Sequence, residues 1–309
     1  MLLKMPLSSI LSYIEKENLG KLRKNAPLSK HTWFQTGGEC AALFFPHDVY
    51  SLQKLIKNYG SDIPLFTLGA GSNLLVRDKG IPDTLVIKLV KEFSSITHDD
   101  EGVEVGAGCL DRTLALSCLE HAQSGLEYLV SIPGSIGGAL AMNAGCYGNE
   151  IIDNLEWVEF IDEVGSLHRL KAHEVPMSYR HCHLPKETLF TKARLKTTKS
   201  DFALAQKTIQ NILTKREESQ PTSGRTGGST FKNPSSGPFK AWELIDKVGG
   251  RGLQLGQAQF SSKHCNFLLN LGGATAFELE TLGQTVKQKV KELFDYDLEW
   301  EIIRLGETA

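Results

Sequence analysis

Residues 131–148, SIPGSIGGALAMNAGCYG, have the composition of a ligand-binding loop. They are rich in glycine and carry no charged side chain. Pro133 and the adjacent Gly137 and Gly138 argue against a membrane-spanning helix, because they break regular structure and leave backbone amides unpaired. Amides in a glycine-rich turn form a concave site for phosphate, and a missing Cβ lets the main chain approach the ligand. The stretch therefore predicts an anion-binding loop, and a tightly packed buried loop is the alternative.

A second glycine turn, GAGSN at 69–73, directly follows a strand-like run at 63–68. Open sheets place phosphate groups at such turns, and Ser72 and Asn73 add short polar side chains. The residues that follow include Gly80 and Pro82, so no long helix begins there and the G-x-G-x-x-G dinucleotide pattern is absent. A Rossmann domain is therefore disfavoured.

Two further segments carry groups that suit an anionic ligand. Arg180, in MSYRHCH at 177–183, has a planar guanidinium that fits a carboxylate or a phosphate, although a surface arginine is the alternative. We expect no metal site there, because strand neighbours face opposite sides. The glycine loop at 220–234 holds more functional side chains than a connecting loop requires: Arg225, Ser229, Lys232 and Asn233.

The bulk composition limits the class of protein. The 309 residues exceed the usual single-domain size, and 41% hydrophobic with 23% charged residues is typical of a globular chain. A net charge of -2 without a basic run gives no basis for binding nucleic acid. The six cysteines form no C-x-x-C pair and the N-terminus does not resemble a secretory signal, so we expect reduced thiols and a cytoplasmic protein without a membrane span.

The order of predicted elements is that of an α+β protein, not a regular βαβ alternation. A composition shift at 196–201 marks a domain boundary near residue 200. In the last helix, Phe277, Leu279, Leu282, Val286 and Val290 occupy the apolar positions. The periodicity predicts helices near 6–19, 48–59, 114–122, 202–218, 241–248 and 275–294, and strands near 63–68, 84–90, 102–107, 155–161, 167–170 and 298–306.

Taken in order, the motifs resemble those of the UDP-N-acetylenolpyruvoylglucosamine reductases of bacterial peptidoglycan synthesis. The resemblance covers about residues 25–306. Each motif is weak alone, but their order and spacing together are specific. They are NAPLSKHTWFQTGG, LGAGSNLLV, GLEYLVSIPGSIGGALAMNAGCYGNEI, SYR, GGSTFKNP, AWELIDKVG, FSSKHCNFLLN and LEWEIIRLG.

The resemblance implies a fold and a cofactor. It implies an FAD-binding domain of the vanillyl-alcohol-oxidase type over 1–200, with two subdomains divided near 90, and a substrate-binding α+β domain over 201–309. FAD would be held non-covalently, because neither GAGSNLLV at 69–76 nor SIPGSIGGALA at 131–141 offers a histidine or cysteine for attachment. The implied cofactor-binding residues are Gly69, Ala70, Gly71, Ser72, Asn73, Leu74, Ser131, Pro133, Gly134, Ser135, Gly137 and Gly138.

The resemblance also implies a reaction. NADPH would reduce FAD and leave, and the enolpyruvyl ether of a UDP-sugar would then receive hydride at C3 from flavin N5. Ser229 matches the family's proton donor to C2, while Arg180 and Glu301 match the residues that polarise the substrate carboxylate and stabilise the enolate. We expect Arg225, Lys232 and Asn233 to bind the UDP-sugar.

The chain departs from the family's sequence pattern at two places, and two other functions are alternatives to the reductase. Arg304 is displaced by one residue from the family pattern, and the connection after SYR is short, as in members that lack a substrate-contacting tyrosine. An oxidase for a small neutral alcohol would leave Arg225, Lys232 and Asn233 without a role. A flavin-binding or nucleotide-sugar-binding module without turnover would not need Arg180, Ser229 and Glu301 together.

Overall fold

The computed structural model of the chain describes residues 5–307. The helices are α1 Leu7–Lys16, α2 Val49–Tyr59, α3 Asp111–Glu120, α4 Ile136–Ala141, α5 Ile151–Asn154, α6 Phe202–Ser219, α7 Ala241–Lys247 and α8 Ala276–Phe294. The strands are β1 Gly20–Pro27, β2 Glu39–Pro46, β3 Leu65–Thr67, β4 Leu74–Val76, β5 Ile81–Ile87, β6 Ile96–His98, β7 Gly102–Gly106, β8 Gln123–Ser124, β9 Gly145–Cys146, β10 Asn149–Glu150, β11 Leu155–Ile161, β12 Leu167–Lys171, β13 Met177–Ser178, β14 His181–Cys182, β15 Leu189–Lys196, β16 Thr198–Lys199, β17 Gln254–Leu255, β18 Ala258–Phe260, β19 Leu268–Asn270 and β20 Ile303–Leu305. This mixture confirms the predicted α+β class.

The chain forms two compact units, and neither is continuous in sequence. The first unit runs from the start of the described chain to Ala26 and continues through Ala41–Ala70 and Asp83–Thr214. The second unit comprises Pro27–Cys40, Gly71–Pro82 and the chain from Lys215 onward. The boundary near residue 200 stays a prediction.

The first unit is built on two sheets. One has the strand order β1-β2-β5-β3, with β3 and β5 parallel, and the other has the order β12-β11-β15-β7-β6 with antiparallel pairs. The strands predicted near 155–161 and 167–170 are confirmed as β11 and β12, which form an antiparallel hairpin with Ile161 opposite Leu167 at the turn. Helix α2 begins where the Asp48 carboxylate accepts a hydrogen bond from the Ser51 amide at 2.7 Å, which satisfies an otherwise unpaired helical N–H.

The second unit packs α7 and α8 with the three-stranded sheet β17-β18-β19 around one apolar core. Thr275 caps α8, since its hydroxyl accepts from the Glu278 amide at 3.1 Å and the Glu278 carboxylate accepts from the Thr275 amide at 2.9 Å. The parallel pair of β4 and β20 completes the unit. Along β4 and β20, Leu74 lies opposite Ile303.

Three local predictions need correction. The short helix α4 lies inside the glycine stretch that we expected to be irregular, and both Gly137 and Gly138 are helical. On α8 the side chains of Leu279, Leu282, Val286 and Val290 are buried as predicted, but Phe277 is 60% exposed. The terminal strand is shorter than predicted and begins at Ile303. Among residues 5–307, no helix has the length and apolarity needed to cross a membrane.

Candidate active site

A cavity of about 310 Å³ lies in the first unit, between the two glycine loops. Five of the predicted cofactor-binding residues line it: Gly69, Ala70, Ser135, Gly137 and Gly138. The rest of its wall is mostly apolar, formed by Thr67, Leu68, Lys88, Leu89, Val90, Ala107, Gly108, Leu110, Ala141, Thr188 and Phe190. A wall of this kind suits a large, partly aromatic ligand that has a polar end.

The two loops approach so closely that side chains are excluded. A Cβ on Gly69 would lie 2.5 Å from the Ser135 hydroxyl oxygen, and a Cβ on Gly137 would lie 3.1 Å from the Ala107 carbonyl oxygen. A side chain at position 69 would require the buried Ser135 hydroxyl to move, so glycine gives the closest approach of the two loops there. The glycines therefore open the cavity, as the sequence predicts for close main-chain approach to a ligand.

The amides of the second loop are used differently from the prediction. The Ile136 amide donates to the Cys109 carbonyl at 2.9 Å, and the Gly137 amide donates to the Ala107 carbonyl at 2.8 Å. These two groups hold the loop against the segment that follows β7 and are not available to an anion. Within residues 5–307, the amides of Gly69 and Ala70 in the first loop and of Ser135 in the second donate to no protein acceptor, so both loops supply N–H groups that a ligand could use.

The other predicted residues of the second loop lie outside the cavity wall, and Ser131 and Gly134 form hydrogen bonds within the protein. The Ser131 hydroxyl donates to the Tyr128 carbonyl at 2.9 Å, and the Gly134 carbonyl accepts from the Asp111 amide at 3.2 Å. Pro133 is half-buried between them. Ser131, Pro133 and Gly134 do not line the cavity, and their contact with a cofactor stays a prediction.

Residues 71–74 of the first loop belong to the second unit. Gly71 has a φ of +70°, and a Cβ there would lie 2.1 Å from the His31 carbonyl oxygen, so this turn requires glycine. The Asn73 side-chain amide donates to the Glu301 carbonyl at 3.0 Å. Ser72 is half-buried, and Leu74 begins β4.

Ser229 and Glu301 lie on neighbouring segments of the second unit. The Glu301 amide donates to the carbonyl of Thr230, the residue after Ser229, at 2.9 Å. On the other side, the Thr230 amide donates to the Asn266 carbonyl at 2.7 Å. The structure thus brings two of the predicted catalytic residues into one small backbone network, and both side chains are half-buried.

Asn266 fixes this network, and sequence reasoning did not single it out. Its side chain is buried, accepts from the Phe231 amide at 3.0 Å and donates to the Phe231 carbonyl at 2.9 Å. Both backbone groups of Phe231 are thereby satisfied without a regular strand. A polar residue within the apolar run CNFLL was the available signal.

Arg180 lies in the first unit, at the turn between β13 and β14. Its φ of +57° is unusual for a residue with a side chain. The guanidinium donates to the Gly145 carbonyl at 2.7 Å, lies 3.6 Å from the Glu150 carboxylate and stacks on Tyr179 at 4.7 Å. These contacts hold a largely buried cation in one orientation.

The predicted substrate-binding residues belong to the second unit. Arg225 is exposed, and its carbonyl accepts from the Asn270 amide at 2.9 Å. Lys232 reaches the Glu299 carboxylate at 3.4 Å. The Asn233 side chain accepts from the Ala241 amide at 3.1 Å at the start of α7, so Asn233 also has a structural contact. Contact with substrate stays a prediction for Arg225, Lys232 and Asn233.

Two ionisable groups beside the cavity, the half-buried Lys88 and the buried Asp111, were absent from the predicted site. Lys88 lines the cavity, and burial lowers the pKa of its amino group. Asp111 is fully buried behind the second loop, and burial raises the pKa of its carboxyl well above the ordinary value. A single charge inside the apolar run TLVIKLV was the signal for Lys88.

Arg304, which is displaced in the sequence pattern, has defined contacts within the second unit. It pairs with Glu280 at 2.9 Å and stacks over the Trp300 ring at 4.7 Å. Arg77 binds the same carboxylate through two nitrogens, at 2.7 and 2.8 Å, and lowers the pKa of Glu280. Arg304 is therefore part of an ion-pair network beside the β4–β20 pair.

Comparison with known proteins defines first the class and then the family. Residues 40–171 match the family described as FAD binding domain, and residues 220–305 match the C-terminal domain of UDP-N-acetylenolpyruvoylglucosamine reductase. The first match agrees with the cavity between glycine loops, and the chain is therefore a flavin-binding oxidoreductase with an FAD-binding fold.

Relatives over the whole chain identify the family. The UDP-N-acetylenolpyruvoylglucosamine reductase of Gluconobacter oxydans is 46% identical over 290 residues, which cover 94% of this chain and 94% of that protein. The reductase of Rickettsia massiliae is 44% identical and covers 93% of this chain and 96% of its own. A crystal structure of the Thermus caldophilus enzyme has a TM-score of 0.79 at 33% identity, covering 93% of this chain and 99% of that one. This chain belongs to the UDP-N-acetylenolpyruvoylglucosamine reductase family.

Proposed function

We propose that the protein reduces the enolpyruvyl ether UDP-N-acetyl-3-O-(1-carboxyvinyl)glucosamine to UDP-N-acetylmuramate, using NADPH, in cytoplasmic peptidoglycan synthesis. The observation that carries the proposal is family membership over almost the whole chain. The cavity and the network around Ser229 agree with it, because a reductase of this kind needs both a cofactor site and a proton donor.

The cavity fits FAD as the cofactor. Its glycine loops leave room for a bulky ligand, the Ser135 hydroxyl is buried there without a hydrogen-bond partner, and the amides of Gly69 and Ala70 have no protein acceptor within residues 5–307. When bound, FAD supplies the hydride that reaches C3 of the substrate. Among the described residues that line the cavity there is no cysteine or histidine, which supports non-covalent binding.

The chain supplies the proton and the electrostatic stabilisation. Ser229 donates a proton to C2 of the substrate, where the enolate carbon is basic enough to accept from a hydroxyl. Arg180 binds the substrate carboxylate through its guanidinium, and Glu301 stabilises the enol form of the intermediate. Such stabilisation accelerates the reaction to the extent that it is stronger in the transition state than in the ground state.

NADPH and the UDP-sugar bind in turn, and the anionic ends of the UDP-sugar contact Arg225, Lys232 and Asn233. A carboxylate and a diphosphate both favour cationic partners. Because the two substrates bind one after the other, one active site can accept both NADPH and the UDP-sugar, although both are large and anionic.

The test is a spectrophotometric assay with product analysis. The purified protein should be yellow, and NADPH oxidation should depend on the UDP-sugar enolpyruvyl ether and stop when the ether is consumed. Mass spectrometry should show a product that has gained two hydrogens. The control substrate is UDP-N-acetylglucosamine, which lacks the enolpyruvyl group and should not increase the rate of NADPH oxidation. A colourless protein, or NADPH oxidation that ignores the ether, would overturn the proposed function.

A further inference from the structure

Lys88 lines the cavity beside the first glycine loop. It follows β5, and Gly69 and Ala70 follow the adjacent parallel strand β3, in which Thr67 lies opposite Ile87. The carboxyl ends of two neighbouring parallel strands therefore bring the lysine and the first glycine loop to the same edge of the sheet, which is where open sheets bind ligands. The Lys88 ammonium donates to the Gly69 carbonyl at 3.1 Å.

This ammonium lacks a counter-charge in the cavity. Of the described residues that form the wall, Lys88 alone is charged, and burial lowers the pKa of its amino group. An ammonium has three donors, and one carbonyl satisfies one of them. Removing a charge from water without an ionic partner is costly, so a purely structural role would favour an uncharged residue at this position.

The Ser135 hydroxyl provides an independent sign of a ligand. It is 4% exposed, has no hydrogen-bond partner within the described chain and lies against Gly69. A buried hydroxyl without a partner is unusual in a folded protein and calls for a missing group. Together, the ammonium, the hydroxyl and the amides of Gly69 and Ala70 offer several donors to one anion.

We propose that Lys88 is the cation that binds the diphosphate of FAD, with Ser135 as a second donor to the same group. The inference rests on the proposed function, since it assumes that FAD is the cofactor. A diphosphate supplies the negative charge that the half-buried ammonium lacks, and it provides acceptors for the remaining N–H groups. Charge-assisted hydrogen bonds of this kind are stronger than neutral ones.

The experiment compares FAD with riboflavin, which has the same ring system but no phosphate. The full chain is freed of flavin and titrated with each ligand, and the change in flavin fluorescence gives Kd. In Lys88→Met, the Kd for FAD should rise about 10-fold to 100-fold, because a charge-assisted contact is lost. The Kd for riboflavin should stay within about threefold of the parent.

Further variants separate binding from structure. Lys88→Arg should recover most of the affinity for FAD, and Ser135→Ala should weaken FAD binding without weakening riboflavin binding. Lys21→Met removes the same charge from an exposed position on β1 and should change neither constant. The flavin-free Lys88→Met chain should melt at the same temperature as the parent or higher, because a partly desolvated charge without an ionic partner is gone.

The outcomes are decisive in either direction. Equal losses for FAD and riboflavin in Lys88→Met would make Lys88 a structural residue, and an unchanged Kd for FAD would remove it from the site. A higher KM for NADPH or the UDP-sugar at saturating FAD, with the Kd for FAD unchanged, would assign the lysine to a substrate phosphate and overturn the inference. If the parent itself fails to bind FAD, it is the proposed function that fails.

Discussion

The Ser229 hydroxyl sits on a segment whose backbone is fixed on both sides. Thr230 donates to Asn266 and accepts from Glu301, so a substitution at Ser229 leaves these backbone bonds in place. This makes the side chain testable with little disturbance of the loop. Flavin reduction by NADPH needs no proton donor to carbon, whereas reduction of the enolpyruvyl group does.

In Ser229→Ala, the two half-reactions should separate. Flavin bleaching by NADPH should stay within about tenfold of the parent, while reoxidation by the UDP-sugar should fall about 10²-fold to 10⁴-fold, the range for lost general acid catalysis. Stopped-flow absorbance resolves the two steps. The exposed Ser223, changed to alanine, is the matched control on the same loop and should alter neither rate. If both rates fall together in Ser229→Ala, Ser229 positions the loop and is not the proton donor.

Asp111 is a second residue whose environment predicts a measurable effect, because its buried carboxyl should make the stability of the protein depend on pH. Both of its carboxylate oxygens are buried without a hydrogen-bond partner in the described chain, and burial raises the pKa. An acid whose pKa is raised by folding contributes its full stability below the pKa of the unfolded chain, about 4, and loses it as pH rises toward the folded value. Stability should therefore decrease above about pH 4 because of this group.

Asp111→Asn removes the titration and keeps the shape. Its melting temperature relative to the parent should increase from pH 5 to pH 8, by several degrees, because the parent bears the cost of a buried ionisable carboxyl and the variant does not. Differential scanning calorimetry at the two pH values measures this difference. Asp83→Asn, at an exposed position on β5, should show no such trend. A difference that is constant with pH would mean that Asp111 does not titrate with folding.

At the scale of elements, the segment around Ser229 depends on Asn266 more than on regular strand pairing. Asn266→Ala leaves the Phe231 amide and carbonyl without partners in a buried setting. The free energy of unfolding should fall by about 2–4 kcal/mol, from the cost of unsatisfied buried polar groups. Urea unfolding followed by circular dichroism gives this value. Asn149→Ala removes an exposed amide that contacts the Tyr147 carbonyl at 3.4 Å and should cost less than about 0.5 kcal/mol. A loss below about 1 kcal/mol for Asn266→Ala would contradict this role.

Elements with a strong period were predictable from the sequence. The helices α1, α2 and α8 and the β11–β12 hairpin agree with the predictions because each buries one face, which imposes a period of 3.6 or 2. Helix α4 was not predictable in this way. Its glycines permit close packing on Ala107, and that tertiary contact outweighs their low helix propensity.

The residues of the candidate site were likewise predictable from the sequence only in part. Glycine loops are visible in sequence because their composition is unusual, and Ser229 and Glu301 became visible through the family motifs. For Lys88 the sequence offers only a single charge within an apolar run, and it is the structure that places this residue after β5 and in the cavity wall. Asp111 was missed because an acid at the start of a helix normally faces solvent near the positive end of the helix dipole.

At the scale of the whole molecule, a net charge of -2 gives no general attraction for anionic substrates. Capture of the UDP-sugar should therefore depend on local cations. Arg225→Ala and Lys232→Ala should each raise KM for the UDP-sugar about 10-fold while kcat falls less than about threefold, the pattern of lost uniform binding. Steady-state kinetics at fixed salt measure both constants.

A neighbouring charge provides the control for this prediction. Lys240→Ala changes an exposed lysine just before α7 and should leave KM unchanged. An unchanged KM in both Arg225→Ala and Lys232→Ala would place the diphosphate elsewhere. Asn233→Ala is less informative about binding, because it also removes the acceptor for the Ala241 amide.

The pairing of β4 with β20 has a consequence for the order of biosynthesis. The two strands are separated by more than two hundred residues, and Asn73 and Glu301 meet beside them. On the ribosome, β4 emerges early, and its edge has no partner until the last strand has been translated. The second unit therefore cannot be completed during most of translation, and an unpaired strand edge is open to wrong pairing during that time. Completion of the second unit therefore depends on a contact of very long sequence separation, which is the kind of contact that slows folding.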